Sequence, residues 1–89
     1  MEKPKTRREE IIRKLEEKFG GKWEFDKNVH AHPSKDGMRL PDIEGVEYAY
    51  PRLMHWRNQG IEAQSMNAYE EDGDTHVPGL VGIYRKVEA

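Results

Sequence analysis

The sequence predicts an α+β fold: an N-terminal amphipathic helix packed on a small, mostly antiparallel sheet of three to five strands, with a second short helix near residues 51–59. Three observations predict it. "TRREEIIRKLEEKFGG" repeats its apolar residues with the period of a helix, "KWEF" alternates them with the period of a strand, and "LVGIYRKVE" carries apolar residues on both strand faces, as a central strand does. At 89 residues the chain reads as one domain, 1–89, with residues 1–5 as a flexible basic N-terminus. A domain of this size buries only about 60–65% of the surface its unfolded chain exposes.

The first helix is placed at 6–19. Thr6 and Glu9 have the spacing of a capping box, in which each side chain serves the other residue's free backbone N–H. Ile11, Ile12, Leu15 and Phe19 then share one face, while Glu9/Arg13 and Glu10/Lys14 form i,i+4 pairs outside. Gly20 and Gly21 end it.

Trp23 and Phe25, alternating with Lys22, Glu24 and Asp26, mark a half-buried strand whose pattern weakens after Asp26. Pro33, Gly37, Pro41 and Gly45 punctuate the next stretch, so residues 33–45 read as a long connection with a turn at Asp36-Gly37. Val46, Tyr48 and Tyr50 fall on one face of a short strand, and Pro51 suits the first position of the second helix, which Gly60 terminates. In that helix Leu53 and Trp56 are expected in the core, with Arg52, His55 and Arg57 on the outer side. Residues 61–69 read as a strand, "EEDGD" as a charged hairpin tip, and residues from Leu80 as the central strand beside it.

Composition narrows the function classes. There is no cysteine, which removes thiol nucleophiles, disulfides and Cys-based metal sites. No segment approaches the roughly 18–20 apolar residues of a membrane span and the N-terminus lacks a signal-type apolar run, so the expected setting is cytoplasmic, with no membrane partner. Net charge is +3 over residues 1–22, −1 over 23–60 and −4 over 61–89. This dipolar chain lacks the one-signed footprint of a dedicated DNA-binding domain.

Several constellations bear on chemistry. His30 and His32, two apart on an extended segment, are weak metal candidates because a zinc site needs at least a third protein ligand. Four histidines with Arg39, Arg52 and Arg57 supply the residue types of a metal-free, His-dependent nuclease. "HWRNQGIEA" resembles the end of the recognition helix in phage-type helix-turn-helix repressors. Pro41, Gly45 and Pro51 stand where that motif needs a preceding helix and a tight turn, so no family is assigned. Nucleic-acid binding through Lys3, Lys5, Arg7 and Arg8 with Arg52, Trp56 and Arg57 is the second-ranked reading, since aromatics among cations stack on bases. The first is a non-enzymatic protein-interaction module, an accessory protein or inhibitor of the phage or plasmid kind acting on a larger partner. Its expected contact residues are Tyr48, Tyr50, Arg52, His55, Trp56 and Arg57, of the types enriched in interface hot spots. No cofactor is expected, and the oligomeric state is left open.

Overall fold

The computed structural model describes residues 5–88 and shows an α+β fold. Helix α1 (Arg7–Phe19) is followed by β1 (Lys22–His30), a small hairpin of β2 (Ser34–Lys35) and β3 (Met38–Arg39), helix α2 (Ala49–Arg57), and the long strands β4 (Ala63–Tyr69) and β5 (His76–Glu88). The main sheet is antiparallel in the order β1-β5-β4, which places the strand that is apolar on both faces in the centre. The hairpin forms a separate two-stranded sheet.

Helix α1 is held at its N-terminal end by groups distant in sequence. Thr6 Oγ accepts from Glu9 N at 3.2 Å, as a capping residue does, but Glu9 returns its carboxylate one residue upstream, to Lys5 N at 2.8 Å. The acidic turn between β4 and β5 supplies the other partners: Arg7 N donates to Asp74 Oδ1 and Arg8 N to Gly73 O, each at 3.0 Å. "EEDGD" is thus a charged hairpin tip that also caps a helix. Within it, Asp72 accepts from the Thr75 hydroxyl and from the N–H groups of Asp74 and Thr75, which together bring its pKa down to about 2. At the other end Gly20 lies at φ 75, its N–H bonded to Glu16 O, and Trp23 Nε1 donates to Gly20 O at 3.0 Å.

Two apolar layers follow from the alternation of β5. Tyr84 faces α1 and joins Ile11, Leu15, Trp23 and Tyr69, with Ile12, Phe25 and Met66 packed against them. Ile83 faces the other way, on the side where Arg85 lies over the Trp56 ring of α2, and is fully buried. Gly82 leaves the space that the Tyr84 and Phe25 rings use: a Cβ there would sit 3.1 Å from one and 3.4 Å from the other.

The alternation of β1 weakens around Asp26, where a bulge falls between Phe25 and Lys27, but the strand itself runs on to His30. The bulge lets consecutive residues reach the same side, Asp26 toward Arg52 and Lys27 toward Glu47. The expected strand at Val46–Tyr50 is absent. Only Tyr48 makes a single parallel bridge, with His30, and Tyr50 lies inside α2 and is exposed. The helix opens at Ala49, so Pro51 is its third residue; a missing N–H is tolerated there because first-turn N–H groups have no helical partner. Asp36-Gly37 does form the hairpin turn, both residues at positive φ (53 and 80), as a two-residue type I′ loop requires.

Candidate interaction surfaces

Helix α2 buries none of its residues fully, and Trp56, expected in the core, is half-buried. Beside its partly buried Leu53, Met54 and Trp56, an ionic centre ties the helix to the sheet. Asp26, pushed toward α2 by the bulge, accepts from Arg52 Nε at 2.5 Å, Arg52 Nη2 at 2.9 Å and Trp56 Nε1 at 2.9 Å. Asp26 and Arg52 side chains are only 12% and 19% exposed. Burial alone would raise the Asp26 pKa; the hydrogen bonds from Arg52 and Trp56, with the charges of Arg52 and Lys27, outweigh it and hold the pKa below its ordinary value. The hydrogen bond to Asp26 in turn raises the pKa of Arg52. Around this centre the Arg52 and Arg85 guanidinium carbons lie 4.8 and 4.4 Å from the Trp56 ring centroid, and Arg85 is paired with Glu24.

This arrangement corrects the picture of an outward cationic face on α2. Arg52 is turned inward and neutralised by Asp26, whereas Arg57 stays exposed while its Nη2 donates to Ala63 O at 2.9 Å. His55 remains exposed, its ring edge-on to Trp56 at 4.7 Å. Tyr50 is displayed, 58% exposed, whereas Tyr48 is buried.

Tyr48 has a different task. Its hydroxyl accepts from Ile43 N at 2.8 Å, its ring stacks on His32 at 5.4 Å and meets His30 edge-on at 6.4 Å, and His30 N donates to Glu47 O. Together these contacts staple the base of an arm formed by residues 33–45. Leu40 N donates to Pro33 O across that arm, and Arg39 reaches both Asp42 and His32. Every residue from 34 to 45 is exposed, yet the arm carries Met38 (72% exposed), Ile43 (64%) and Leu40 (43%). Together with Tyr50 these are most of the exposed large hydrophobic side chains among the described residues. Sequence reasoning passed over them because "GMRLPDI" has no periodicity; the available signal was three large apolar residues in a stretch that Pro and Gly bar from a core element. Asp26, Glu24 and Arg85 were also missed, and nothing in the sequence marks the bulge that brings them together.

The histidines do not converge as a metal site. His30 ends β1 while His32 lies beyond it, with Tyr48 against both rings, and His55 and His76 belong to α2 and β5. Among the described residues no group of three or more His, Asp or Glu is placed to hold an ion.

Of the basic N-terminal candidates, Lys3 lies outside the described residues. Lys5 and Arg7 are exposed. Arg8 is committed to the fold: its Nη2 donates to Tyr69 O at 2.7 Å and Glu70 O at 3.0 Å, and its guanidinium lies 4.0 Å from the Phe25 centroid. No helix among the described residues is long and apolar enough to cross a membrane. Comparison with protein-family models, with curated proteins and with solved structures returns no match.

Proposed function

We propose that this chain is a protein-interaction module that engages a larger partner through the arm of residues 33–45. One observation carries the reading. Met38, Leu40 and Ile43 are held in the open on a segment that is fastened at its base by Tyr48, when a flexible solvent loop would ordinarily be polar. A fastened apolar surface loses less conformational freedom on binding than a loose one, so more of its burial is realised as affinity. Tyr50, at the start of α2, adds an aromatic of the kind that dominates interface energetics. Helix α2, Asp26 and Arg85 serve as the mount that keeps the arm's base in place, and the expected contact residues Arg52 and Trp56 act in that mount.

The test is affinity capture from a nuclease-treated lysate with the native chain and with a variant carrying Met38→Ser, Leu40→Ser and Ile43→Ser. Because these side chains are exposed, melting should move by no more than about 0.5 kcal/mol equivalent per site. A partner retained by the native chain and lost by the variant supports the reading. Equal capture by both, or capture only when nucleic acid is intact, sinks it in favour of another surface or of the nucleic-acid reading.

A further inference from the structure

The two edges of the main sheet are built differently. The outer edge of β1 carries Lys22, Glu24, Asp26 and Lys27, is broken by a bulge, and is closed at its far end by the bridge from His30 to Tyr48. Charges, bulges and covering segments are the devices that keep an edge from pairing. Strand β4 has little of this protection. "AQSMNAY" contains no charge and no proline, in a chain that is 36% charged, and its one irregularity falls at the end, between Asn67 and Tyr69.

The hydrogen-bond phase shows which groups are open. Lys86 N donates to Glu62 O, so in the register Ala63↔Arg85 the bonded pairs are Gln64 with Tyr84 and Met66 with Gly82, and Ala63 and Ser65 turn their backbone groups outward, before the register shift that follows Asn67. The outward carbonyl of Ala63 confirms the phase by accepting from Arg57 Nη2. At Ser65, the next outward position, no partner for N–H or C=O occurs among the described residues. Beside this edge a groove of about 470 Å³ runs between β4 and α1, with Ile11, Met66 and Tyr69 as apolar lining and Arg7, Glu10 and Lys14 along the helix side.

We propose that the β4 edge and this groove form a docking site for an extended, acidic and apolar peptide segment of a partner protein, added as a fourth strand of the sheet. Backbone bonds at Ser65 would hold the segment, alternate apolar side chains would enter the groove, and its carboxylates would meet Arg7 and Lys14, which outnumber Glu10. Charge also selects against a second copy of this chain, which brings the same net-positive rim to the shared edge. The inference is independent of the arm.

The probes are two labelled synthetic peptides of about seven residues, matching β4 in length, one alternating valine with glutamate and the other valine with lysine. Binding is read by fluorescence anisotropy and by the backbone amide shifts of Ser65 and Asn67. The acidic peptide should bind, shift the Ser65 amide, and lose at least about tenfold in affinity with Ser65→Pro, whose missing N–H points away from β5. The double variant Arg7→Glu, Lys14→Glu should reverse the preference between the peptides, and it decides the matter if Ser65→Pro fails to fold. The arm variant should bind the peptide unchanged. The site is refuted if neither peptide shifts the Ser65 amide, if the double variant leaves the preference intact, or if the amide shifts only with rising protein concentration, which would make the occupant a second copy.

Discussion

Trp56 Nε1 donates to Asp26 Oδ2, an oxygen that already accepts from Arg52 Nε, so an indole and a guanidinium share one carboxylate across thirty residues of chain. The relationship explains how a helix with no fully buried residue stays on the sheet. It also separates two roles of the tryptophan, its ring and its N–H.

Trp56→Phe keeps an aromatic surface for Arg52 and Arg85 and removes only the bond to Asp26, for an expected loss of about 1.5–3 kcal/mol, the range for a hydrogen bond to a charged group. Trp56→Ala removes both and should cost about 2–4 kcal/mol, below the full value of a core tryptophan because the ring is half-buried. Denaturant midpoints of the two variants check the order. Equal losses would mean that the ring contributes nothing.

The Asp26 pKa is lowered on folding, so its share of stability is present above the ordinary value of 3.8 and is lost as pH falls through the folded value. Asp26→Asn should flatten the acid limb of the stability profile below about pH 4. At neutral pH the same variant should cost about 2–3 kcal/mol, between an exposed pair and a fully buried one. A parallel-shifted profile with an unchanged acid limb would move the acid sensitivity elsewhere, Asp72 being the next group to test.

Burial pushes the Tyr84 pKa up to about 12, with Arg8 offsetting part of the effect. A raised folded pKa means stability that is complete below the ordinary value of 10 and declines as pH rises through the folded value. The hydroxyl is buried and makes no well-formed hydrogen bond among the described residues. Tyr84→Phe should therefore be neutral or slightly stabilising at pH 7, within about 1 kcal/mol, and should abolish the alkaline decline that Tyr84 contributes. A loss beyond about 2 kcal/mol would reveal a partner for that hydroxyl.

Gly73 stands at φ 77, and a Cβ there would lie 3.1 Å from the Thr6 side chain, within the contact that caps α1. Gly60 has a similar φ of 79 and open space around it. Gly60→Ala should cost about 1–2 kcal/mol from backbone strain alone, and Gly73→Ala measurably more, with the excess visible as faster amide exchange in the first turn of α1. Equal losses would show that Thr6 simply gives way.

What was legible in the sequence follows the kind of interaction that fixes each element. Helix α1 and strand β5 are held by repeating apolar contacts, and repetition at 3.6 or 2 residues is visible in a string of letters: Ile11 with Leu15, Ile83 against Tyr84. The ionic tie of helix α2 is one carboxylate that a bulge turns toward it, and a bulge alters the phase of a strand without altering its composition. The inward Arg52 therefore read as an exposed cation. The arm failed for the opposite reason. Its order comes from single contacts at Tyr48, Pro33 and Arg39, none of which repeats, so Met38, Leu40 and Ile43 read as loop filler although all three are large apolar side chains held exposed.

The fastening of α1 by the acidic turn also sets an order of assembly. Arg7 and Asp74 are 67 residues apart, and Arg8 reaches Tyr69 and Glu70 across nearly the same span. During synthesis this helical segment emerges before its partners, but an isolated helix of 13 residues is marginal in water and two of its first N–H groups must wait for the turn that holds Gly73 and Asp74. Closing so long a loop before any of those bonds form places the step late on the folding path. The β4–β5 hairpin, whose contacts are local, is expected to form before those bonds, so the first turn of α1 should lock after it, an order that pulse-labelled amide exchange at Arg7 and Arg8 checks.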